Sequence, residues 1–379
     1  MTLAAFDLGA QLAALTAQSL KRTPRALEHG VTPSIWRGGK AYLNFSSNDY
    51  LGLAGHAELR DAVVETLNVH GVGAGAAHLI TGHTELHERL EQRLAQVSGY
   101  PRALLFSTGY MANMGVMDAL LTPKSTLYQD KLNHASLIDG ARLAGCIHRR
   151  YPHQDLAVLE RWLVEDQSPL KLIATDQVFS MDGTEADLPA LRGLAERYGA
   201  ALMIDDAHGF GVRAQALPPV DIYMATLGKA IGTFGAFVAG SDELIEYLQS
   251  RARTFCFTTA TPPLLAAATL AALDVIEAEG WRREVLSQHI TRLRTALIEQ
   301  GWQLTESQTA IQPIIIGDAA ETLAISKRLE ELGILAVAIR PPTVPVGSSR
   351  LRVTLSAGHS EEDVGRLVEG LGVVRGEME

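Results

Sequence analysis

The segment at 170–209, LKLIATDQVFSMDGTEADLPALRGLAERYGAALMIDDAHG, contains the pattern that decides the fold of this chain. Two apolar runs, LKLIATDQVF and ALMIDD, flank a stretch, LPALRGLAERYG, whose apolar residues recur at i, i+3, i+4 and i+7. Short apolar runs without alternation are typical of parallel strands that are covered on both faces. The middle stretch is typical of an amphipathic helix that ends at a glycine. We therefore predict a strand, a helix and a second strand, in that order.

The same alternation continues on both sides of this segment. Short apolar runs bounded by Gly, Asp, Ser or Thr occur at RALLFST, STLYQD, DIYMATLG and GAFVAG, and helical stretches such as LHERLEQRLAQVSG lie between runs of this kind. Strands that alternate with helices favour an α/β fold. We therefore predict a doubly wound, mostly parallel sheet.

The two ends of the chain do not follow this alternation of strands and helices. Residues 3–27 have the pattern of an amphipathic helix, and SIWRGG and AYLNF, which follow, have that of short strands. A long helical region at 262–300 opens with two prolines, which are tolerated near a helix start. We predict three parts: an N-terminal helix and arm at 1–45, an α/β large domain at 46–270, and a smaller α+β C-terminal domain at 271–379.

Composition and charge exclude several classes of function. The 379 residues include 33 Lys and Arg against 43 Asp and Glu, a net charge of −10, and no basic stripe. Because nonspecific nucleic-acid binding needs many cations that face phosphates, we expect no nucleic-acid partner. No window reaches the roughly 18 uninterrupted apolar residues that indicate a membrane span.

The N-terminus and the cysteines indicate a cytoplasmic protein. Asp7 comes early and the basic residues come late, which is the reverse of a signal peptide. The two cysteines, Cys146 and Cys256, have no metal-site spacing, and we expect them to be reduced thiols.

Residues that carry chemistry follow the predicted strands at the point where each strand ends. Open α/β sheets bind ligands beyond the carboxyl ends of their strands. The candidates there are Gly109, Tyr110, His134, Ser180, Asp205, His208, Thr226 and Lys229. Together they offer backbone amides for a phosphate, a carboxylate, two histidines and a lysine among small residues, TLGKAIGTFGAFVAG.

This set is what pyridoxal 5′-phosphate (PLP) requires. Its aldehyde needs a lysine for a Schiff base, its ring nitrogen needs a carboxylate, and its phosphate needs donors. Small neighbours let the cofactor approach the backbone, and partial burial lowers the pKa of the lysine toward a neutral, nucleophilic amine. We therefore predict that Lys229 forms the Schiff base.

Two other motifs fit their patterns poorly. The run at 71–76, GVGAGA, matches the dinucleotide fingerprint, but it follows a helical stretch where a strand is required. His83 and His87 are spaced at i, i+4, yet Glu85 is one place off the metalloprotease order and no third ligand is evident. We predict neither a nicotinamide site nor a metal site.

The chain also resembles the α-oxoamine synthases, which are fold-type I PLP enzymes that join an amino acid to an acyl thioester with loss of CO2. The resemblance covers nearly the whole length. The segments that carry it are NFSSNDYLGL, STGYMAN, DKLNHASLIDGARL, VFSMDG, IDDAHGFGV, TLGKAIGTFGA, FTTATPP and IRPPTVPVGSSRLRVTLSAGH.

The resemblance implies a role for each cofactor residue. Gly109 and Tyr110 hold the phosphate through their amides, and Thr226 contacts the cofactor. Four residues are implied to be catalytic, and these are Lys229, His134, Asp205 and His208. His134 stacks on the pyridine ring and also faces the substrate, and Asp205 pairs with the ring nitrogen. Ser180 lies with His208 near the phenolic oxygen.

The resemblance also implies a dimer and a set of substrate residues. Thr258 and Thr259 match a segment that reaches the phosphate of the other subunit, so a homodimer is expected. Arg352 clamps the carboxylate of the amino acid, which suits a planar bidentate donor. Arg22, Asn48 and Thr343 match further positions linked to substrate binding.

Within this family, IRPPTVP followed by RLR is most similar to the members that condense L-alanine with a pimeloyl thioester in biotin biosynthesis. The thiol carrier is coenzyme A or acyl carrier protein, between which the sequence does not decide. Sister synthases that use glycine, such as those forming 2-amino-3-ketobutyrate or 5-aminolevulinate, remain the alternative. Asp176 departs from the glutamate that relatives usually have beside the stacking histidine. Non-catalytic relatives lack the lysine that this chain keeps.

Overall fold

The computed structural model of the chain describes residues 3–17, 20–31, 33–213 and 217–378. It begins with a 3-10 helix, Leu3–Phe6, and a helix α1, Leu8–Ala17. The predicted helix at 3–27 is therefore wrong over residues 20–27, which are not helical, and residues 18 and 19 lie outside the described residues. Pro24 lacks an N–H and disfavours helical backbone at Thr23, and α1 buries none of its described side chains.

The two short strands predicted after this helix are confirmed. β1 (His29–Gly30), β2 (Ser34–Arg37) and β3 (Lys40–Asn44) form antiparallel pairs. A two-residue turn, Gly38-Gly39, joins β2 to β3, and both glycines have positive φ (59° and 71°), as a primed hairpin turn requires.

A seven-stranded sheet forms the centre of the molecule. Its strands are β4 (Arg102–Phe106), β5 (Ser125–Asp130), β6 (Ile147–Tyr151), β7 (Leu170–Asp176), β8 (Ala201–Asp205), β9 (Ile222–Thr226) and β10 (Ala236–Gly240). Their order is β4-β10-β9-β8-β7-β5-β6, and β10 runs antiparallel to both of its neighbours while the other pairs are parallel. This confirms the predicted mostly parallel sheet.

Helices cover both faces of this sheet. They are α2 (Ala57–His70), a π-helix (His78–Gly82), α3 (Glu85–Ser98), α4 (Gly109–Leu120), α5 (Ala135–Ala144), α6 (Leu156–Glu165), α7 (Leu188–Tyr198), α8 (Asp242–Arg251) and α9 (Arg253–Cys256). Successive strand residues face opposite sides, so Ile173 packs in the apolar cluster that contains Leu191, and Leu172 packs in the one that contains Leu137. The sheet is therefore doubly wound.

The C-terminal third has its own sheet. Its elements are α10 (Pro263–Ala278), α11 (Trp281–Glu299), β11 (Gln303–Leu304), β12 (Ile311–Gly317), α12 (Ala319–Glu331), β13 (Ile334–Leu335), β14 (Val337–Ile339), β15 (Ser349–Thr354) and α13 (Glu361–Met378). The antiparallel order is β11-β12-β15-β14. The helical region predicted at 262–300 is two helices, separated at Glu279 and Gly280.

Pairing between distant segments ties these parts together. β13 pairs in parallel with β3, which attaches the N-terminal arm to the C-terminal third. The domain boundaries at 45 and 270 stay predictions. Cys146 and Cys256 are free and half-buried. Within the described residues, no helix is long and apolar enough to cross a bilayer.

Candidate active site

The predicted strand-end residues meet in one cavity at the carboxyl edge of the large sheet. The cavity has a volume of about 200 Å³. All eight candidates line it, namely Gly109, Tyr110, His134, Ser180, Asp205, His208, Thr226 and Lys229. They meet because parallel strands direct their carboxyl ends to the same edge, and because the helices that follow begin there.

Lys229 lies in this cavity with its amine close to a histidine. Nζ of Lys229 is 2.9 Å from Nε2 of His208. Burial lowers the pKa of Lys229 from 10.5 to about 8, against the smaller opposing effect of Asp205 and Asp176. About a tenth of the amine is therefore neutral at pH 7, and more at higher pH, which provides the neutral form that a nucleophilic lysine requires.

A chain of hydrogen bonds extends from His208 away from the lysine. Nδ1 of His208 is 2.7 Å from the hydroxyl of Tyr50, which donates to Oδ1 of Asn48 over 3.1 Å. In the arrangement consistent with both bonds, His208 donates from Nδ1 and accepts from Lys229 at Nε2. Burial, and then Lys229, hold the pKa of His208 well below 6.5, so the ring is neutral. Burial raises the pKa of Tyr50 to about 12.

Arg352 joins this chain from the small sheet. Both terminal nitrogens of Arg352 lie 3.3 Å from Oδ1 of Asn48, and Nε donates to the carbonyl of Ser180 over 2.6 Å. Arg352 belongs to β15 and is buried. A cation from the C-terminal third therefore contacts Ser180, which lines the cavity, although Arg352 itself does not line it.

Asp205 is held by two donors. Its Oδ2 accepts from Nδ2 of Asn113 over 2.8 Å, and its Oδ1 accepts from the backbone N–H of Ala207 over 3.0 Å. Nδ2 of Asn113 also donates to Oγ of Ser136 over 2.8 Å. Asp205 is only 5% exposed, so these bonds orient a carboxylate that water barely reaches.

His134 is the N-cap residue of helix α5 and lines the same cavity as Asp205. Its Nδ1 is 2.7 Å from Oγ of Ser136, and its backbone N–H donates to Oδ2 of Asp176 over 2.9 Å. Burial lowers the pKa of His134, and the nearby Asp205 opposes that shift. Its ring meets the ring of Tyr110 edge to face, with centroids 6.2 Å apart.

Asp176 is a second buried carboxyl at this edge. It is the register partner of Asp205 across the β7–β8 pair. Burial, and then the charge of Asp205, raise its pKa well above 3.8. Its Oδ1 has no hydrogen-bond partner among the described residues.

The N-terminus of α4 forms one wall of the cavity. Thr108 caps this helix, because its Oγ1 accepts from the N–H of Met111. The first N–H groups of a helix have no partner within it and suit an anion. At Gly109 a Cβ would come within 2.6 Å of Cγ2 of Thr226, so only glycine fits there without displacement.

Six predicted residues do not line this cavity in the single chain: Asn48 and Arg352 are joined to its lining by hydrogen bonds, and the other four have no such link among the described contacts. Arg22 and Thr343 are exposed and do not line it. Thr258 is half-buried, and Thr259 is exposed and forms a bridge with Ala77. The structure therefore brings together eight of the ten residues predicted for the cofactor, without Thr258 and Thr259. Of the predicted substrate residues, His134 lines the cavity, and Asn48 and Arg352 join the hydrogen-bond chain of His208.

Sequence reasoning gave no role to Tyr50 or Asn113. Both lie in segments that carried the family resemblance, which was the available signal. A larger cavity, of about 620 Å³, lies elsewhere and includes Asp206, Arg213 and Tyr223. Arg213 and Tyr223 both bind the carboxylate of Asp206 there, and no lysine lines that cavity. The smaller cavity is therefore the candidate active site.

Comparisons with known proteins agree with this site. Residues 40–371 match the family model of aminotransferase class I and II. The 8-amino-7-oxononanoate synthase of Nitrosococcus oceani is 49% identical over 365 residues, 93% of this chain and 97% of that protein. The 8-amino-7-oxononanoate synthase of Pseudomonas putida strain GB-1 is 50% identical over 378 residues, 97% of each chain. These matches confirm that the chain is an enzyme of the predicted kind.

The fold is similar to two kinds of solved structure. Serine palmitoyltransferase from S. paucimobilis, with bound PLP-myriocin aldimine, gives a TM-score of 0.91 at 26% identity and covers 99% of this chain and 98% of its own. An 8-amino-7-oxononanoate synthase from Francisella tularensis gives a TM-score of 0.77 at 28% identity. The match covers 89% of this chain and 98% of that one. The predicted fold-type I architecture with a smaller C-terminal domain is confirmed. The chain belongs to the aminotransferase class I and II family.

Proposed function

We propose that the chain is a PLP-dependent acyltransferase of biotin biosynthesis. It condenses L-alanine with a pimeloyl thioester and yields 8-amino-7-oxononanoate, CO2 and the free thiol. Relatives named 8-amino-7-oxononanoate synthase are 48 to 50% identical over nearly the whole chain. The observation that carries the proposal is Lys229, whose amine lies beside His208 in the cavity that also contains Asp205.

The residues of the cavity fit PLP. The glycine at 109 leaves the cradle that a phosphate needs at the start of α4. Asp205 offers an oriented carboxylate for a ring nitrogen, and Lys229 offers an amine with a lowered pKa for an aldehyde. His134 and Ser180 line the same cavity, and they would complete the contacts with the ring.

The cofactor supplies an electron sink for negative charge that develops at Cα of the amino acid. The carboxylate of Asp205 would keep a proton on the ring nitrogen that it faces, and Asn113 keeps that carboxylate in place. Lys229 would remove the Cα proton of alanine, because its pKa lies near working pH. The neutral ring of His208 holds the lysine amine at 2.9 Å and so orients it for this transfer.

Arg352 would bind the carboxylate of alanine. Its terminal nitrogens now contact the amide oxygen of Asn48, which is a neutral acceptor. A carboxylate is a better partner for a guanidinium than an amide oxygen, because the bond is charge-assisted. A role of Arg22 and Thr343 in substrate binding stays a proposal, since neither residue lines the cavity.

We also propose a homodimer that completes the site. Thr258 and Thr259 lie beside exposed apolar side chains of the same surface, among them Leu79, Ile80 and Phe257. Exposed apolar surface of this kind favours association. A dimer mass by light scattering at micromolar concentration would support this, and a stable, active monomer would contradict it. The cytoplasmic location stays a prediction.

The test of the proposed reaction is thiol release from pimeloyl-coenzyme A, with alanine, glycine or serine offered separately. Release with alanine alone, together with the amino ketone, is the expected result. Release mainly with glycine or serine would assign the chain to a sister synthase, although the cofactor residues would keep their roles. No release with any of them, while pimeloyl acyl carrier protein reacts, would change only the carrier.

A further inference from the structure

Three histidines and two glutamates form a cluster outside the active-site cavity, where the π-helix meets α3. They are His78, His83, His87, Glu88 and Glu91. The three imidazole rings lie with their centroids 5.1 to 5.4 Å apart. His78, His87 and Glu91 are buried, whereas Glu88 opens the cluster to solvent. None of these residues has a part in the proposed reaction.

The histidine pair that the sequence singled out is not a chelating pair. Nδ1 of His87 accepts from the backbone N–H of Thr84 over 3.0 Å, and so completes the cap of α3. Nε2 of His87 donates to the carbonyl of Thr261 over 2.8 Å. Both ring nitrogens of His87 are therefore engaged by backbone, and neither is available to a metal ion.

His83 instead faces two carboxylates. Its Nε2 lies 3.4 Å from Oε2 of Glu88 and 3.9 Å from Oε2 of Glu91. All three atoms lie within 4.8 Å of one another. The ligand atoms of a tetrahedral ion with bonds of about 2.1 Å are separated by about 3.4 Å, so small rotations of the side chains would complete such a site.

The surroundings of these atoms favour a cation. Nδ1 of His83 is 2.8 Å from Nδ1 of His78. In the tautomer in which His83 donates, Nδ1 of the buried His78 ring accepts this hydrogen bond. A histidine that donates from Nδ1 presents the lone pair of Nε2, which is the second-layer arrangement typical of metal-bound histidine.

The position of Glu91 gives a second reason to expect a cation at this cluster. Its Oε1 accepts from the backbone N–H of Leu105 over 2.9 Å, and its Oε2 points toward His83. The side chain of Glu91 is buried, and an ionised carboxylate is costly there without a cation beside it. A cation bound by Oε2 would remove that cost.

We propose that His83, Glu88 and Glu91 bind one divalent cation of the zinc class, with solvent completing its coordination. One imidazole nitrogen and two carboxylate oxygens suit Zn²⁺, Co²⁺ or Ni²⁺ better than Mg²⁺ or Ca²⁺. The ion would join α3 to β4 through Glu91 and Leu105, and β4 leads to the start of α4. It would therefore stabilise the folded chain, since it binds the native arrangement alone.

The experiment is a cobalt titration of untagged holoenzyme after dialysis against a chelator. Visible absorbance of Co²⁺ reports coordination by protein, and calorimetry with ZnCl2 gives the number of sites. We expect one site per chain, and an affinity at least tenfold lower in His83→Ala and in Glu88→Gln. Glu85→Gln, on an exposed position of the same helix, is the matched control and should bind as the unaltered protein does.

Glu88 is exposed, so Glu88→Gln should fold even if Glu91→Gln does not. Glu88→Gln should also leave the rate of thiol release unchanged in the presence of chelator, which separates this site from the active site. Absence of Co²⁺ and Zn²⁺ binding at millimolar concentration would overturn the proposal. His83, Glu88 and Glu91 would then interact through hydrogen bonds and charge alone. Undiminished binding in the His83→Ala, Glu88→Gln double variant would overturn it as well.

Discussion

Nζ of Lys229 lies 2.9 Å from Nε2 of His208, in a cavity where both side chains are half-buried and both have lowered pKa values. At this distance the amine of Lys229 donates one hydrogen bond to Nε2 of the neutral His208 ring. The histidine therefore orients the amine without adding a positive charge beside it. This relationship links the position of the lysine to its reactivity, and the first two predictions depend on it.

Replacement of Lys229 by alanine should abolish thiol release. Because general acid–base catalysis contributes roughly 10² to 10⁴-fold, and the variant also loses the group that would bind the cofactor covalently, we expect a loss of at least about 10³-fold. PLP should no longer be retained by the protein after borohydride treatment, as measured by mass spectrometry. A far-ultraviolet dichroism spectrum equal to that of the unaltered protein is the control. Borohydride-stable PLP in this variant would show that another residue holds the cofactor.

The rate of PLP capture by the cofactor-free protein should rise with pH, with a midpoint near 8. Burial depresses the pKa of Lys229 to about 8, and only the neutral amine attacks an aldehyde. Below that pH the protonated form prevails, so capture slows about tenfold for each pH unit. Stopped-flow absorbance between pH 6 and 9.5 measures this. A midpoint above 10 would mean that the lysine is not desolvated as the structure indicates.

Replacement of Tyr50 by phenylalanine should lower kcat about tenfold and also change the KM for alanine. The hydroxyl joins His208 to Asn48, and Asn48 contacts Arg352. Without the hydroxyl, Nδ1 of His208 loses its hydrogen-bond partner. A buried polar group left without a partner destabilises a protein by about 1 to 3 kcal/mol, so the free energy of unfolding should fall by a comparable amount.

Tyr128→Phe is the control for this variant. The hydroxyl of Tyr128 is also buried and donates to Asp166 over 2.6 Å, but it does not line the active-site cavity. The control should lose stability and keep its kinetic constants. If both variants show the same kinetic constants, the chain from His208 to Arg352 has no part in the reaction.

Replacement of Gly109 by alanine should weaken PLP binding by at least about tenfold, because overpacking of this kind costs about 1 to 3 kcal/mol. The added Cβ would lie 2.6 Å from Cγ2 of Thr226. Serine at 226 lacks that methyl group and keeps the hydroxyl that donates to Ala207. The double variant Gly109→Ala, Thr226→Ser should therefore regain much of the affinity, measured by fluorescence titration. Equal affinities for the single and double variants would rule out the steric explanation.

Some features of the site required information from the folded chain. Tyr50 and His208 are 158 residues apart, and Asn113 and Asp205 are 92 apart, so no local pattern relates them. The spacing of His83 and His87 indicated a pair on one helix face, but the backbone at Thr84 and Thr261 occupies both nitrogens of His87. The helix predicted at 3–27 is present only in part: α1 spans Leu8–Ala17, and residues 20–28 are not helical, because Pro24 disfavours helical backbone there.

The sequence by itself determined the strand–helix alternation, the parallel sheet and the residues that end its strands. Periodicity and residue type are local properties, and parallel strands must direct their carboxyl ends to one edge. Only the tertiary structure decided which side chains support those residues: Arg352 arrives from another sheet, and Asn113 holds Asp205 from a helix. The physical reason is that hydrogen bonds and burial depend on distances in space, and it is burial that brings the pKa of Lys229 to about 8.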